Sequence, residues 1–89
     1  MFTSWGREST KTFDEAELNG ILAQLEDEKQ YGRILRAKGI VPGTDGRWLH
    51  FDYIPGEADV RVGSAGVIGR LCVIGSELRE DALAALFGV

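Results

Sequence analysis

Two alternating runs joined by a compact turn constrain this chain more than any other feature. Gly32–Val41 reads as a strand in which Arg36 and Lys38, two apart, share one face while Leu35, Ala37 and Val41 share the other. Pro42-Gly43-Thr44-Asp45-Gly46 follows, and two glycines, a proline and an Asp-Gly pair make it a turn. Arg47–Ile54 then alternates Leu49, Phe51 and Tyr53 with Trp48, His50 and Asp52, the pattern of a half-buried strand. The two runs therefore form an antiparallel hairpin around a loop of about five residues. Centring that loop on Thr44 sets Lys38 opposite His50, Arg36 opposite Asp52 and Ile40 opposite Trp48. All six lie away from the apolar face, because a one-residue slip would drive charges into the core.

The rest of the chain fits around this hairpin. Phe2–Arg7 alternates weakly and reads as a first strand. Thr12 with Glu15 forms a capping box, and Leu18, Ile21, Leu22 and Leu25 make one helical stripe that runs through Lys29 and stops at Gly32. Pro55-Gly56 ends the hairpin's second strand. Glu57–Val62 alternates again, with Ala58, Val60 and Val62 inward, as a more exposed strand near an edge. Gly63–Gly66 is a connection, and Gly69–Ile74 is apolar on both faces, as a central strand would be. A second helix follows with Ser76 as N-cap, Leu78, Ala82, Leu83 and Leu86 as its buried face, and Gly88 as its stop. The order β-α-β-β-β-β-α predicts an α+β domain over residues 1–89: a two-layer, mainly antiparallel sheet of about five strands with two helices on one face.

Charge narrows the partners. The 89 residues carry a net charge of −4, which argues against general nucleic-acid binding. Yet residues 32–56 hold four bases and two acids, a locally positive segment inside an acidic protein. The single cysteine, Cys72, excludes an internal disulfide framework and a multi-cysteine zinc site. It sits in an apolar strand, where a free cysteine acts as a small hydrophobe. No apolar run reaches bilayer length and no basic-then-apolar leader opens the chain, so a cytoplasmic location without membrane contact is expected.

No catalytic set can be assembled. Gly63, Gly66 and Gly69 precede a strand and do not join a strand to a helix, so they are loop glycines and not a phosphate cradle. One histidine and one cysteine give no defensible nucleophile and base. His50 with Asp52 could supply two metal ligands, short of the three or four of a tight zinc site. What remains is Arg36, Lys38, Trp48, His50 and Asp52 on one sheet face. They are either cross-strand pairs on a solvated surface, the reading composition favours, or a docking or anion-binding patch, which the tryptophan keeps in play.

The ordered set ILRAKGIV, turn, WLHFDYIPGE, GRLCVIG and terminal EDALAALF resembles the C-terminal domain of the CobW family of P-loop GTPases, over nearly the whole chain. The carrying motifs are Arg36-Ala37-Lys38-Gly39 and Ile74-Gly75. The resemblance implies a domain of a larger GTPase of the cobalamin-synthesis, metallochaperone kind. It implies GTP, magnesium and a transition metal for an N-terminal domain, and these 89 residues hold neither a Gly-x-x-x-x-Gly-Lys-Ser/Thr loop nor a Cys-x-Cys-Cys cluster to take them. The expected role is non-catalytic: docking the GTPase domain of the same polypeptide, another subunit or a client metalloprotein. The alternative is a small-ligand or metal-binding module on Arg36, Lys38, His50 and Asp52.

Overall fold

The alternation between Arg33 and Ile54 becomes the middle of a sheet. The computed structural model describes residues 1–89 as β1 (Thr3–Ser9), α1 (Glu15–Gln24), α2 (Glu28–Tyr31), β2 (Arg33–Pro42), β3 (Trp48–Ile54), β4 (Glu57–Gly63), β5 (Gly69–Ser76) and α3 (Glu80–Phe87). All strand pairs are antiparallel, in the order β1-β5-β2-β3-β4. The expected α+β architecture holds, with β4 at an edge and β5 inside the sheet. The core is one cluster of 17 buried side chains between the helices and one sheet face. Leu18, Ile21, Leu22 and Leu25 come from the helical stripe, and Ala37, Val41, Leu49, Phe51 and Tyr53 from the hairpin. The opposite sheet face is covered by no helix. No helix is long and apolar enough to cross a membrane.

The hairpin pairs differently from the register expected. Lys38 faces Asp52, Ile40 faces His50 and Pro42 faces Trp48. The loop is the cause. The Gly43 amide donates to the Arg47 carbonyl at 2.7 Å, and the Gly46 amide to the Gly43 carbonyl at 3.2 Å, which leaves Thr44, Asp45 and Gly46 outside the ladder. Gly46 takes φ +87°, the left-handed residue that closes a three-residue hairpin loop. Asp45 locks it, its carboxylate accepting from the Arg47 amide at 3.0 Å and from Arg47 Nη2 at 2.7 Å. The centre thus lies on Asp45 and not on Thr44. Moving it by one residue moves every partner by two, so each side chain keeps its face and changes its neighbour.

Other boundaries shift for local reasons. Thr12 does not start the first helix. Phe13, fully buried, donates its amide to the Pro42 carbonyl at 2.9 Å and accepts from the Thr44 amide at 3.0 Å, so it is pinned at the hairpin mouth. Asp14 becomes the N-cap, accepting from the Glu17 amide. The helix also stops early, at Gln24, because Glu26 turns aside to bond Tyr53 and the Gly56 amide while Asp27 caps the separate short α2. A β-bulge between Ile34 and Arg36 buries Ile34 and leaves Leu35 only half-buried. Ser76 is not an N-cap: it pairs with Arg33 as the end of β5, and α3 begins three residues after Glu77, whose φ is +54°. Gly88 does end α3, in the left-handed conformation. Cys72 is half-buried and belongs to the uncovered face, not the core.

Candidate functional site

The pleat and the strand order together write the uncovered face as rows. One row runs Gly6, Cys72, Lys38, Asp52, Asp59 from β1 to β4. The next runs Glu8, Arg70, Ile40, His50, Arg61. On the other side Ser4, Ile74 and Arg36 are in line. Residues 66–68 of the β4–β5 connection wall a groove of about 710 Å³ over the first two rows. Small side chains at Gly6 and Cys72 leave its floor low. Ile40 and Ile74 are each 39% exposed on this face, and Val67 is fully exposed on the wall.

All five residues singled out from sequence sit on this face, but in different circumstances. Trp48 is half-buried, its ring lying against the backbone at Gly66. His50 Nε2 lies 2.8 Å from the Ser64 carbonyl, which can only accept, so Nε2 carries the proton. Trp48 and His50 therefore anchor the connecting loop. Asp52 is shared, 3.4 Å from Arg36 Nη2 and 3.1 Å from Arg61 Nη1. Asp59 adds a second carboxylate to Arg61 at 2.7 Å, and Asp59 first, then Asp52, raise the Arg61 pKa. Arg70 pairs with Glu8 at 3.0 Å. These pairs are exposed and screened by solvent, and they organise the surface more than they stabilise it.

Lys38 stands apart. Its partner in register is Asp52, so a carboxylate is directly opposite after all. That carboxylate is already occupied by Arg36 and Arg61, and Lys38 forms no ion pair of its own. It is the one exposed cation of this face with no anionic partner.

Arg61, Asp59, Arg70, Glu8 and Cys72 were not singled out from sequence as part of this face's site. Arg61 and Asp59 had an audible signal, since the alternation of Glu57–Val62 turns them outward. Arg70, Glu8 and Cys72 had none, because their membership depends on β5 lying between β1 and β2, and neighbour order is not written in a strand's own residues.

The arrangement does not fit a metal centre. No group of three or more His, Cys, Asp or Glu side chains converges anywhere. His50 and Asp52, two residues apart on one strand, are committed to Ser64 and to two guanidinium groups.

Residues 2–89 match the family model of the cobalamin synthesis protein cobW C-terminal domain. The chain belongs to this family. No curated protein matches it. Among solved structures, the Zn(II)-bound YjiA GTPase from E. coli is similar at 22% identity with a TM-score of 0.75, over 98% of this chain and 29% of that one. A Zn(II)-bound triple mutant of YjiA GTPase gives 22% identity and a TM-score of 0.77 over the same shares. At that identity the likeness is one of fold. The CobW C-terminal domain described here thus spans under a third of the length of the chains it resembles.

The structure gives the two sequence motifs a physical reading. In Arg36-Ala37-Lys38-Gly39 the arginine braces Asp52, the alanine packs in the core and the lysine is left free. Gly39 makes room: a Cβ there would lie 2.7 Å from the Arg70 carbonyl oxygen and overlap the Phe51 ring. In Ile74-Gly75, a Cβ on the glycine would overlap the Arg33 carbonyl.

Proposed function

We propose that this CobW C-terminal domain is a non-catalytic accessory domain of a cytoplasmic, GTP-binding metal-insertion protein, and that its uncovered sheet face is the docking surface. Nucleotide, magnesium and the transferred metal belong to the GTPase domain. The contacts made here are to that domain, to another subunit or to a client metalloprotein, not to nucleic acid or membrane.

The observation that supports this reading is the state of Lys38. Arg36, Arg61 and Arg70 on the face are all paired, and the groove beside Lys38 carries exposed isoleucine and valine. A buried, satisfied surface would not leave a cation and apolar side chains together in a groove, whereas a surface awaiting a partner would. The small-ligand reading shares the same groove, but its metal form asks His50 and Asp52 to abandon partners they already hold.

Calorimetry of this chain with a purified CobW-family GTPase domain tests the reading. Binding is expected, weakened about ten-fold or more by Lys38→Ala, the equivalent of ~1.4 kcal/mol. No heat from the wild type at high concentration of both domains contradicts it.

A further inference from the structure

The shape of the partner can be read from what the face does not offer. β5, β2 and β3 are each paired on both sides, so their amides and carbonyls are consumed by the ladder. A segment lying over them gains no main-chain hydrogen bonds from the sheet. It must satisfy its own backbone, which a helix does and a single extended strand does not. A strand could pair only at the free edges of β1 or β4, outside the groove. Ile74 pairs with Arg36, four residues along β2 from Ile40, so the two isoleucines stand about 13 Å apart along the strands, within reach of a helix of about 14 residues.

The chemistry of the face completes the description. Ile40, Ile74 and Val67 offer apolar contact, and Gly6 and Cys72 keep the floor low enough for a helix to approach. Among them stands Lys38, whose nearest acid is already held by Arg36 and Arg61. A carboxylate inside an apolar helical stripe is costly without a partner, and Lys38 is the complementary group. A second copy of this chain has no such helix to give, because α1 and α3 spend their apolar residues Leu18, Ile21, Leu22, Leu83 and Phe87 in their own core. Phosphate-rich polymers need several free cations, and this face has one.

We propose that the uncovered sheet face receives an amphipathic α-helix of a partner protein, lying along the strands, with its apolar stripe on Ile74, Ile40 and Val67 and one Asp or Glu of that stripe set over Lys38. This rests on the docking reading above and goes further, naming the element and the charge that the partner must present.

Two stapled helical peptides of about 14 residues test it, identical in their apolar stripe and differing only in a central Glu or Gln. Titrated into the 15N-labelled chain, the Glu peptide shifts the amides of Lys38, Ile40, Cys72 and Ile74 and binds about ten-fold tighter than the Gln peptide. Lys38→Met abolishes the preference at an unchanged melting temperature, and Lys38→Glu reverses it toward a peptide with a central Lys. Equal affinity of the wild type for both peptides overturns the proposal, as do shifts on α1 or α3, or none at about millimolar peptide. Self-association in sedimentation that buries the same amides also overturns it, in favour of a second copy. The two readings fail separately. If a GTPase domain shifts the open-face amides while both peptides leave them unmoved, the helix falls and the docking face stands. If it shifts only the helical face, the docking face falls as well.

Discussion

At the scale of single residues, Gly39 and Gly75 are steric devices. Gly39 lies under the Phe51 ring and beside the Arg70 carbonyl, and Gly75 lies against the Arg33 carbonyl, so neither position has space for a methyl group. Gly39→Ala is expected to destabilise the domain by about 1–3 kcal/mol, because the overlap involves rigid backbone as well as a ring. Urea denaturation checks it, and a variant within experimental error of wild type contradicts it. Glu26 makes a second residue-scale case. Its carboxylate accepts from the Tyr53 hydroxyl at 2.6 Å and the Gly56 amide at 2.8 Å, and these, in that order, hold its pKa below the usual 4.5. Burial, then Glu26, push the Tyr53 phenol well above its ordinary range, so it stays the donor. A folded pKa below the unfolded one contributes stability that is complete above the unfolded value and is lost as pH falls through the folded one. Glu26→Gln should therefore melt below wild type at neutral pH, with the gap closing below about pH 4.5. A gap constant down to about pH 3 contradicts the bond's role.

At the scale of elements, periodicity found every strand and the two longer helices, since most bury one face and so repeat their apolar residues at their own spacing; β4 alternates too, but its Ala58 and Val62, expected inward, are exposed and only Val60 packs against the core. It failed where a tertiary contact overrode local chemistry. Thr12-Phe13-Asp14-Glu15 is a sound capping box in isolation, yet the fully buried Phe13 is held by Pro42 and Thr44 and forces the helix to start later. Glu26 and Asp27 read as one more polar helical turn, but their carboxylates bond outward and inaugurate α2. The hairpin register was misplaced because Gly43 and Arg47 still pair, which five loop-forming residues do not advertise. The faces survived that shift, so Arg36, Lys38, Trp48, His50 and Asp52 still share one. Phe87 lies outside the stripe of Leu78, Ala82, Leu83 and Leu86 expected to be buried, yet it anchors α3 with ring centroids 6.0 Å from Trp5 and 6.1 Å from Phe51. Phe87→Ala should cost about 3–5 kcal/mol, a large share of the ~5–15 kcal/mol typical of a domain. Loss of near-UV ellipticity or a steep fall in the urea midpoint is the expected result, and an unshifted midpoint contradicts it.

At the scale of the molecule, the locally positive middle segment resolves into a distribution of pairs. Within it Arg33 is answered by Glu28, Arg36 by Asp52 and Arg47 by Asp45, and beyond it Arg61 and Arg70 are paired across strands in the same way. Much of the sequence's excess charge is therefore structural, and Lys38 is the remainder. That remainder could not be isolated from sequence, because it depends on the strand order that brings Arg61 to Asp52 and leaves Lys38 beside Cys72. The helices close one face of the sheet around 17 buried side chains and leave the other face open, polar at its margins and apolar in its groove. The most direct test of that face as the docking surface is a chemical-shift map of the 15N-labelled chain titrated with a CobW-family GTPase domain. Perturbations centred on Lys38, Ile40, Cys72 and Ile74, and absent in Lys38→Met, are the predicted result. Perturbations confined to α1 and α3, with Lys38 unmoved, would contradict it.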